Sequence, residues 1–282
     1  MEQAIEAFVV VLIVANAIFS FRGFSNRFFL ERHIFHVRRI LGDGQYARIV
    51  TSGFLHANIA HFAFNMFALY SFSQGVGTVM GIVDFVVLYF GSLIAGNLLA
   101  LYVHRDDPDY RALGASGAVS GVIFASILMF PHGSIGFLFL PMGIPSWLFG
   151  ILFILISIYG IRSQAGMIGH EAHLGGAIAG VLISAALVPR LSVQRPLLLV
   201  VLLVPAAAYL YLLVKHPQLV HAGQPNRRRP PGRPRGTDET ERRAMREELD
   251  TLLEKVNRKG IDGLTRRERA RLHDLSQRLR ES

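Results

Sequence analysis

The chain has 282 residues and no cysteine. Disulfides, thiol nucleophiles and thiolate metal sites are therefore excluded, and cysteine usage carries no information on redox compartment. Charge is scarce: 17% of residues are charged against 51% hydrophobic, and mean hydropathy is +0.39. No lysine occurs before Lys215, and Trp147 is the one tryptophan. A chain so apolar along most of its length is not an ordinary soluble domain; a polytopic membrane protein is the expected class. Any catalysis must use oxygen or imidazole groups. The formal charge of +9 is uneven, because residues 215–282 hold 18 Lys and Arg against 11 Asp and Glu.

Seven apolar runs predict membrane spans at about 3–21, 58–77, 82–103, 116–130, 147–161, 171–188 and 197–214. The first is long enough for a hydrocarbon core of about 30 Å. Ala15-Asn16-Ala17 imitates a signal-peptidase site, but Glu2 and Glu6 stand where a signal peptide has positive charge, so the run is read as a retained span. Residues 22–55 interleave Arg22, Arg27, Arg32, Arg38 and Arg39 with Phe24, Phe28, Phe29, Leu30, Ile34 and Phe35. Such a segment suits the headgroup region, with guanidinium groups reaching phosphates and rings in the acyl boundary. Residues 131–146 read as a Pro- and Gly-rich hydrophobic turn and 163–169 as a polar loop. Beyond Lys215, a Pro/Gly/Arg linker at 215–236 cannot pack a core, and 237–282 reads as a helical hairpin. Its second helix opens with the capping box Thr265-Arg266-Arg267-Glu268.

Ionisable and polar residues inside a membrane are costly, so each is a functional candidate. His61 and Asn65 lie on one face at the start of the second span, Ser116 opens the fourth, and His173 lies in the first turn of the sixth. Successive spans alternate in direction, so the even-numbered three begin at the same membrane face and these four residues share one depth. Gly117 and Gly121 on the fourth span, and Gly176 and Gly180 on the sixth, have the four-residue spacing of close helix packing. Packing them in parallel brings Ser116 and His173 within hydrogen-bond reach, the geometry of an activated serine. No acidic third member is apparent, since Glu171 faces away from His173. The expected site is a Ser116–His173 dyad, with His61, Asn65 and the Ser116 N–H as oxyanion donors. Interhelical hydrogen bonding is the alternative role of His61 and Asn65. His170-Glu171-Ala172-His173 imitates a zinc motif, but its histidines are three apart and no third ligand is evident, so neither metal nor other cofactor is expected.

Three motifs in this order resemble the rhomboid intramembrane serine proteases: His61-x-x-x-Asn65, Gly114-Ala115-Ser116-Gly117, and Ala172-His173-Leu174-Gly175-Gly176 followed by Gly180. The resemblance covers about residues 1–190. It implies an all-α polytopic membrane protein with a six-helix rhomboid-like core (1–190), to which the residues themselves add a seventh C-terminal span (191–214), the linker (215–236) and a small helical tail (237–282). It also implies Ser116 as nucleophile, His173 as base, and His61, Asn65 and Gly114 at the oxyanion and substrate site. The family's Trp-Arg pair in the first long loop appears here as Ala47-Arg48, so Arg48 alone carries over as a structural loop residue. The aromatic ring that family members often place four residues after the serine is replaced by Ser120. The activity implied is cleavage of single-span or multi-span membrane proteins within the bilayer, on an extracytoplasmic face of a bacterial-type inner or plasma membrane. A catalytically silent protein that binds transmembrane helices is the rival reading. For the tail, anionic lipid or an unidentified protein is the expected partner, and nucleic acid is disfavoured. Seven spans would put this tail on the active-site face, opposite to the side favoured by its positive charge.

Overall fold

The computed structural model describes residues 2–137, 140–163, 169–215, 245, 247–256, 258, 260 and 263–281. The linker expected at 216–236 and most of the loop expected at 163–169 lie outside the described residues. Contacts divide the chain into two units, Met1–Gln224 and Pro225–Ser282.

In the first unit seven apolar helices occupy the expected runs: α1 (Glu2–Ser25), α5 (Ile59–Met80), α6 (Ile82–Val103), α7 (Ser116–Met129), α8 (Ser146–Ser163), α9 (His170–Leu187) and α11 (Pro196–Lys215). Four of them, α1, α6, α9 and α11, are both long and apolar enough to cross a membrane by composition alone. Helix α5 has the length, but His61, Asn65 and Gln74 dilute its apolarity; α7 and α8 are apolar and short. Asn58 starts α5 by accepting the His61 N–H at 2.8 Å, which satisfies a free donor of the first turn. Gly81 joins α5 to α6 at φ 80°, a conformation in which a side chain is strained.

Helices α6, α7 and α9 form the centre, and their glycines bring backbone close to backbone. A β-carbon on Gly176 would run into the Gly117 carbonyl, one on Gly180 into the Gly121 carbonyl, and one on Gly96 into the Ala172 carbonyl. Around this centre lie the fully buried Leu88, Phe85, Val122, Phe124, Ile127 and Leu174.

Residues 26–55 are more structured than an interfacial ribbon. They form α2 (Arg27–His33), β1 (Phe35–His36), α3 (Val37–Leu41), α4 (Arg48–Thr51) and a 3-10 turn (Ser52–Phe54). Phe35, Val37 and Ile40 form a small core with Ala100, so Phe35 and its neighbour Ile34 are not available to lipid, while Phe28 is 90% exposed. Strand β1 pairs antiparallel with β2 (Arg111–Ala112), tying this region to the loop that leads into α7. The hydrophobic turn expected at 131–146 is instead a hairpin, β3 (Ser134–Phe137) against β4 (Leu140–Pro145). Short helix α10 (Arg190–Gln194) connects α9 to α11.

In the second unit, residues 247–256 are helical and α12 (Arg266–Glu281) follows. The capping box is reciprocal: Thr265 N donates to Glu268 at 2.8 Å, and Glu268 N donates to Thr265 Oγ1 at 3.3 Å. Leu264 and Leu275 are buried, and Lys255–Glu268 and Arg271–Glu248 ion pairs join the two helices.

Candidate active site

A cavity of about 260 Å³ lies between the first turns of α5, α7 and α9, with His61, Gly114, Ser116 and His173 on its wall. Ala57, Asn58, Leu113 and Ala112 of β2, all outside the helices, also line it at the end where the three helices begin.

Ser116 is the first residue of α7, and the preceding Ala115 provides no side-chain cap. The first N–H groups of that helix therefore lack intrahelical acceptors and are free to meet an anion. Gly114 has φ 132°, and a β-carbon there would come 2.8 Å from His61 Cε1, so a side chain would be both strained and in collision. The Gly114 N–H donates to the Ser52 carbonyl at 3.0 Å.

His61 turns its ring toward Gly114. The Ala57 N–H donates to His61 Nδ1 at 3.4 Å, which leaves the ring proton on Nε2, the nitrogen beside Gly114. Asn65 does not reach the cavity: its amide donates to the His61 carbonyl at 2.9 Å within the same helix.

His173 also lines this cavity and forms no hydrogen bond with Ser116; catalytic hydrogen bonds often tighten only when substrate is bound. Its ring packs against Phe153 of α8, with centroids 5.9 Å apart, and against His170 at the same distance. Phe153 in turn meets Phe124 edge-on at 5.3 Å. An aromatic support thus reaches His173 from α8, while Ser120, which stands in the place of the family's ring, donates to the Ser116 carbonyl at 2.7 Å. Glu171, two residues before His173, is occupied elsewhere. Its carboxylate meets His104 Nε2 at 2.9 Å, and Tyr110 stacks on the His104 ring at 3.5 Å. Burial and the Glu171 charge push the Tyr110 phenol above its usual range. Among the described residues no group of three or more histidine, cysteine or acidic side chains is placed to hold a metal ion.

His56 is a residue that spacing alone did not single out. It lies in the loop before α5, is nearly fully buried, and touches the site from behind. Ser20 Oγ donates to the Phe54 carbonyl at 3.0 Å, so at the 2.9 Å contact with His56 Nδ1 the imidazole must donate. The remaining nitrogen, Nε2, then accepts the Ala115 N–H at 3.5 Å. This one-way chain runs from Ala115 through His56 and Ser20 to Phe54 and needs a neutral imidazole. Burial, with the neighbouring His61 second, holds His56 down to about 3. Its position five residues before His61, in a stretch entering a membrane helix, was the available signal. Arg48 is also buried and braces the first loop: Nη1 donates to the Glu31 and Ile34 carbonyls at 2.9 and 2.7 Å, and Nε to Gln45 at 2.7 Å.

A family model described as Rhomboid domain matches residues 43–190, and one described as a family of unknown function (DUF6576) matches residues 239–278. The chain is 34% identical over 137 residues to Rhomboid protein 1, mitochondrial, of Saccharomyces cerevisiae, covering 48% of this chain and 40% of that protein. It is 30% identical over 139 residues to the human Presenilin-associated rhomboid-like protein, mitochondrial, covering 47% and 36%. To Rhomboid protease GluP of Bacillus subtilis it is 32% identical over 176 residues, covering 61% and 32%. The chain thus spans well under half the length of each of these curated relatives.

Proposed function

The chain belongs to the rhomboid family, a multi-pass membrane protein family, and from that premise we propose that it is a serine-type endopeptidase acting on membrane proteins within the bilayer. The observation that carries the proposal is that Ser116 and His173, 57 residues apart in sequence and on different helices, line one cavity beside the ring nitrogen of His61. Ser116 Oγ attacks a substrate peptide carbonyl while His173 takes the hydroxyl proton. The carbonyl oxygen becomes an oxyanion, held by the Ser116 N–H and by His61 Nε2–H. As the C–N bond breaks, His173 returns the proton to the leaving amine. Water then attacks the acyl-enzyme by the same route and restores Ser116. Asn65 reaches the oxyanion by releasing the His61 carbonyl, so it contributes less than His61.

A peptide bond inside a helix is shielded by its hydrogen bond and neighbours, so the substrate carries small or helix-breaking residues at the cut. A bacterial-type inner or plasma membrane belongs to the same proposal, supported by the Bacillus subtilis relative.

The test is cleavage of a model single-span substrate by the full-length protein in liposomes. Ser116→Ala and His173→Ala each reduce turnover by at least about 10³-fold. A parent that binds the substrate helix but leaves it intact would instead establish the helix-binding, catalytically silent alternative.

A further inference from the structure

A second cavity, of about 630 Å³, lies away from the first, in the region of short helices between α1 and α5. Arg32, His33, Arg39, Gln45, Arg48 and Thr51 line it, and no carboxylate does. Three guanidinium groups facing one space repel each other, and nothing in the lining offsets them. Arg48 spends Nε and Nη1 on an amide oxygen and two carbonyls, all neutral acceptors, and its Nη2 has no protein partner among the described residues. Arg39 shares one nitrogen, Nη1, with the exposed Asp43 at 2.7 Å, which leaves Nε and Nη2 for a ligand. Arg32 is exposed and pairs with no carboxylate among the described residues. His33 donates Nδ1–H to the Phe29 carbonyl at 2.8 Å, so in the neutral ring Nε2 is an acceptor and the guanidinium groups are the donors that meet an anion. His36, beside the cavity, is held below its usual range by burial first, then by Arg111 outside the cavity, and then by Arg48 and Arg39 of its wall.

The surroundings identify the kind of anion. Phe28 and Arg32 are four apart on α2 and so share a helix face, and Phe28 is 90% exposed. An apolar ring beside a guanidinium matches a molecule with an acyl portion and a charged head. Forked guanidinium groups match phosphoryl oxygens in geometry as well as charge. We propose that this cavity binds a phosphoryl group, supplied by the headgroup of an acidic phospholipid of the surrounding bilayer. The site does not depend on the proteolytic reading, since none of its lining residues belongs to the Ser116 cavity.

The experiment is native mass spectrometry of the full-length protein in neutral detergent, after exchange with vesicles of equal parts phosphatidylcholine and phosphatidylglycerol. In parallel, its melting temperature is measured in inorganic phosphate against chloride at matched ionic strength. Arg32→Gln/Arg39→Gln removes two exposed guanidinium groups and spares the structural Arg48. Arg105→Gln/Arg190→Gln removes the same charge away from the cavity. The parent retains phosphatidylglycerol in preference to phosphatidylcholine. The cavity pair weakens that preference by about fivefold per arginine, the scale of one basic residue at an anionic surface, and the distant pair leaves it unchanged. Stabilisation of the parent by inorganic phosphate, lost in the cavity pair and without lipid preference, upholds the phosphoryl site and overturns its lipid source. Equal losses in both pairs, or a parent indifferent to both probes, overturns the site.

Discussion

The α7–α9 contact and the tail hairpin are both pairs of helices, held together by opposite means. Between α7 and α9, Gly117 and Gly121 meet Gly176 and Gly180 backbone to backbone, and no charged side chain takes part. In the tail, Lys255–Glu268 and Arg271–Glu248 bridge the helices around Leu264 and Leu275. The difference follows from the solvent. Where lipid is as apolar as any side chain, burial gives little drive, and close approach by small residues supplies the dispersion contact. In water, leucine burial drives association, and exposed ion pairs add little.

Bulk at the glycine contact has the largest expected effect. Gly180→Leu forces a side chain into the Gly121 carbonyl, with a loss of more than about 3 kcal/mol or failure to fold, read by thermal unfolding in detergent. The same helix pair is next tested from behind Ser116. His56→Phe keeps a ring but leaves the Ala115 N–H without its acceptor and takes from Ser20 Oγ, which still donates to the Phe54 carbonyl, the imidazole N–H it accepted, at about 1–3 kcal/mol. On the proposed proteolytic reading, turnover falls by about tenfold with little change in KM, because the peptide preceding Ser116 is no longer fixed.

That variant also has a pH signature. His56 is held at about 3 in the fold against an ordinary 6.5 when unfolded, so the unfolded state binds more protons between these values. The stabilisation is complete above about 6.5 and is lost as pH falls toward about 3. The parent's melting temperature declines across that window, and a His56→Phe profile as steep as the parent's would exclude the neutral-imidazole chain.

Phe153→Leu sharpens the contrast within the membrane. It removes the ring against His173 while keeping an apolar side chain, so turnover drops by about threefold to tenfold, with a cost in stability under about 1.5 kcal/mol. Unchanged kinetics would mean that the α8 ring supports packing alone.

The smallest effect belongs to the tail. Lys255 first, then the Thr265 N–H and hydroxyl, hold the Glu268 carboxyl at about 2. Its contribution is therefore present above about 4.5 and is lost as pH falls through about 2. Glu268→Gln slightly speeds hydrogen exchange of residues 247–256 in the full-length protein at neutral pH, and high salt removes the difference.

What could be read before folding had a common character. The positions of seven apolar helices follow from hydropathy within each segment, and the shared depth of His61, Ser116 and His173 follows from chain direction. Asn65 shows the limit: its helix face was legible, but its amide turns to the His61 carbonyl one turn back. The hairpin at 134–145 was hidden because its strands are apolar and short, and a short apolar run carries no decisive period.

Hydropathy, glycine spacing and capping residues act within a few positions of the chain, so the sequence was enough to show which segments form apolar helices and which polar residues open them. The tertiary structure alone decided where buried donors and acceptors find partners. His56 meets Ala115 across 59 positions, Glu171 meets His104 across 67, and Phe153 meets His173 from another helix. A polar group withdrawn from water takes its hydrogen bond from whichever element is packed against it, and that neighbour exists only once the helices have assembled.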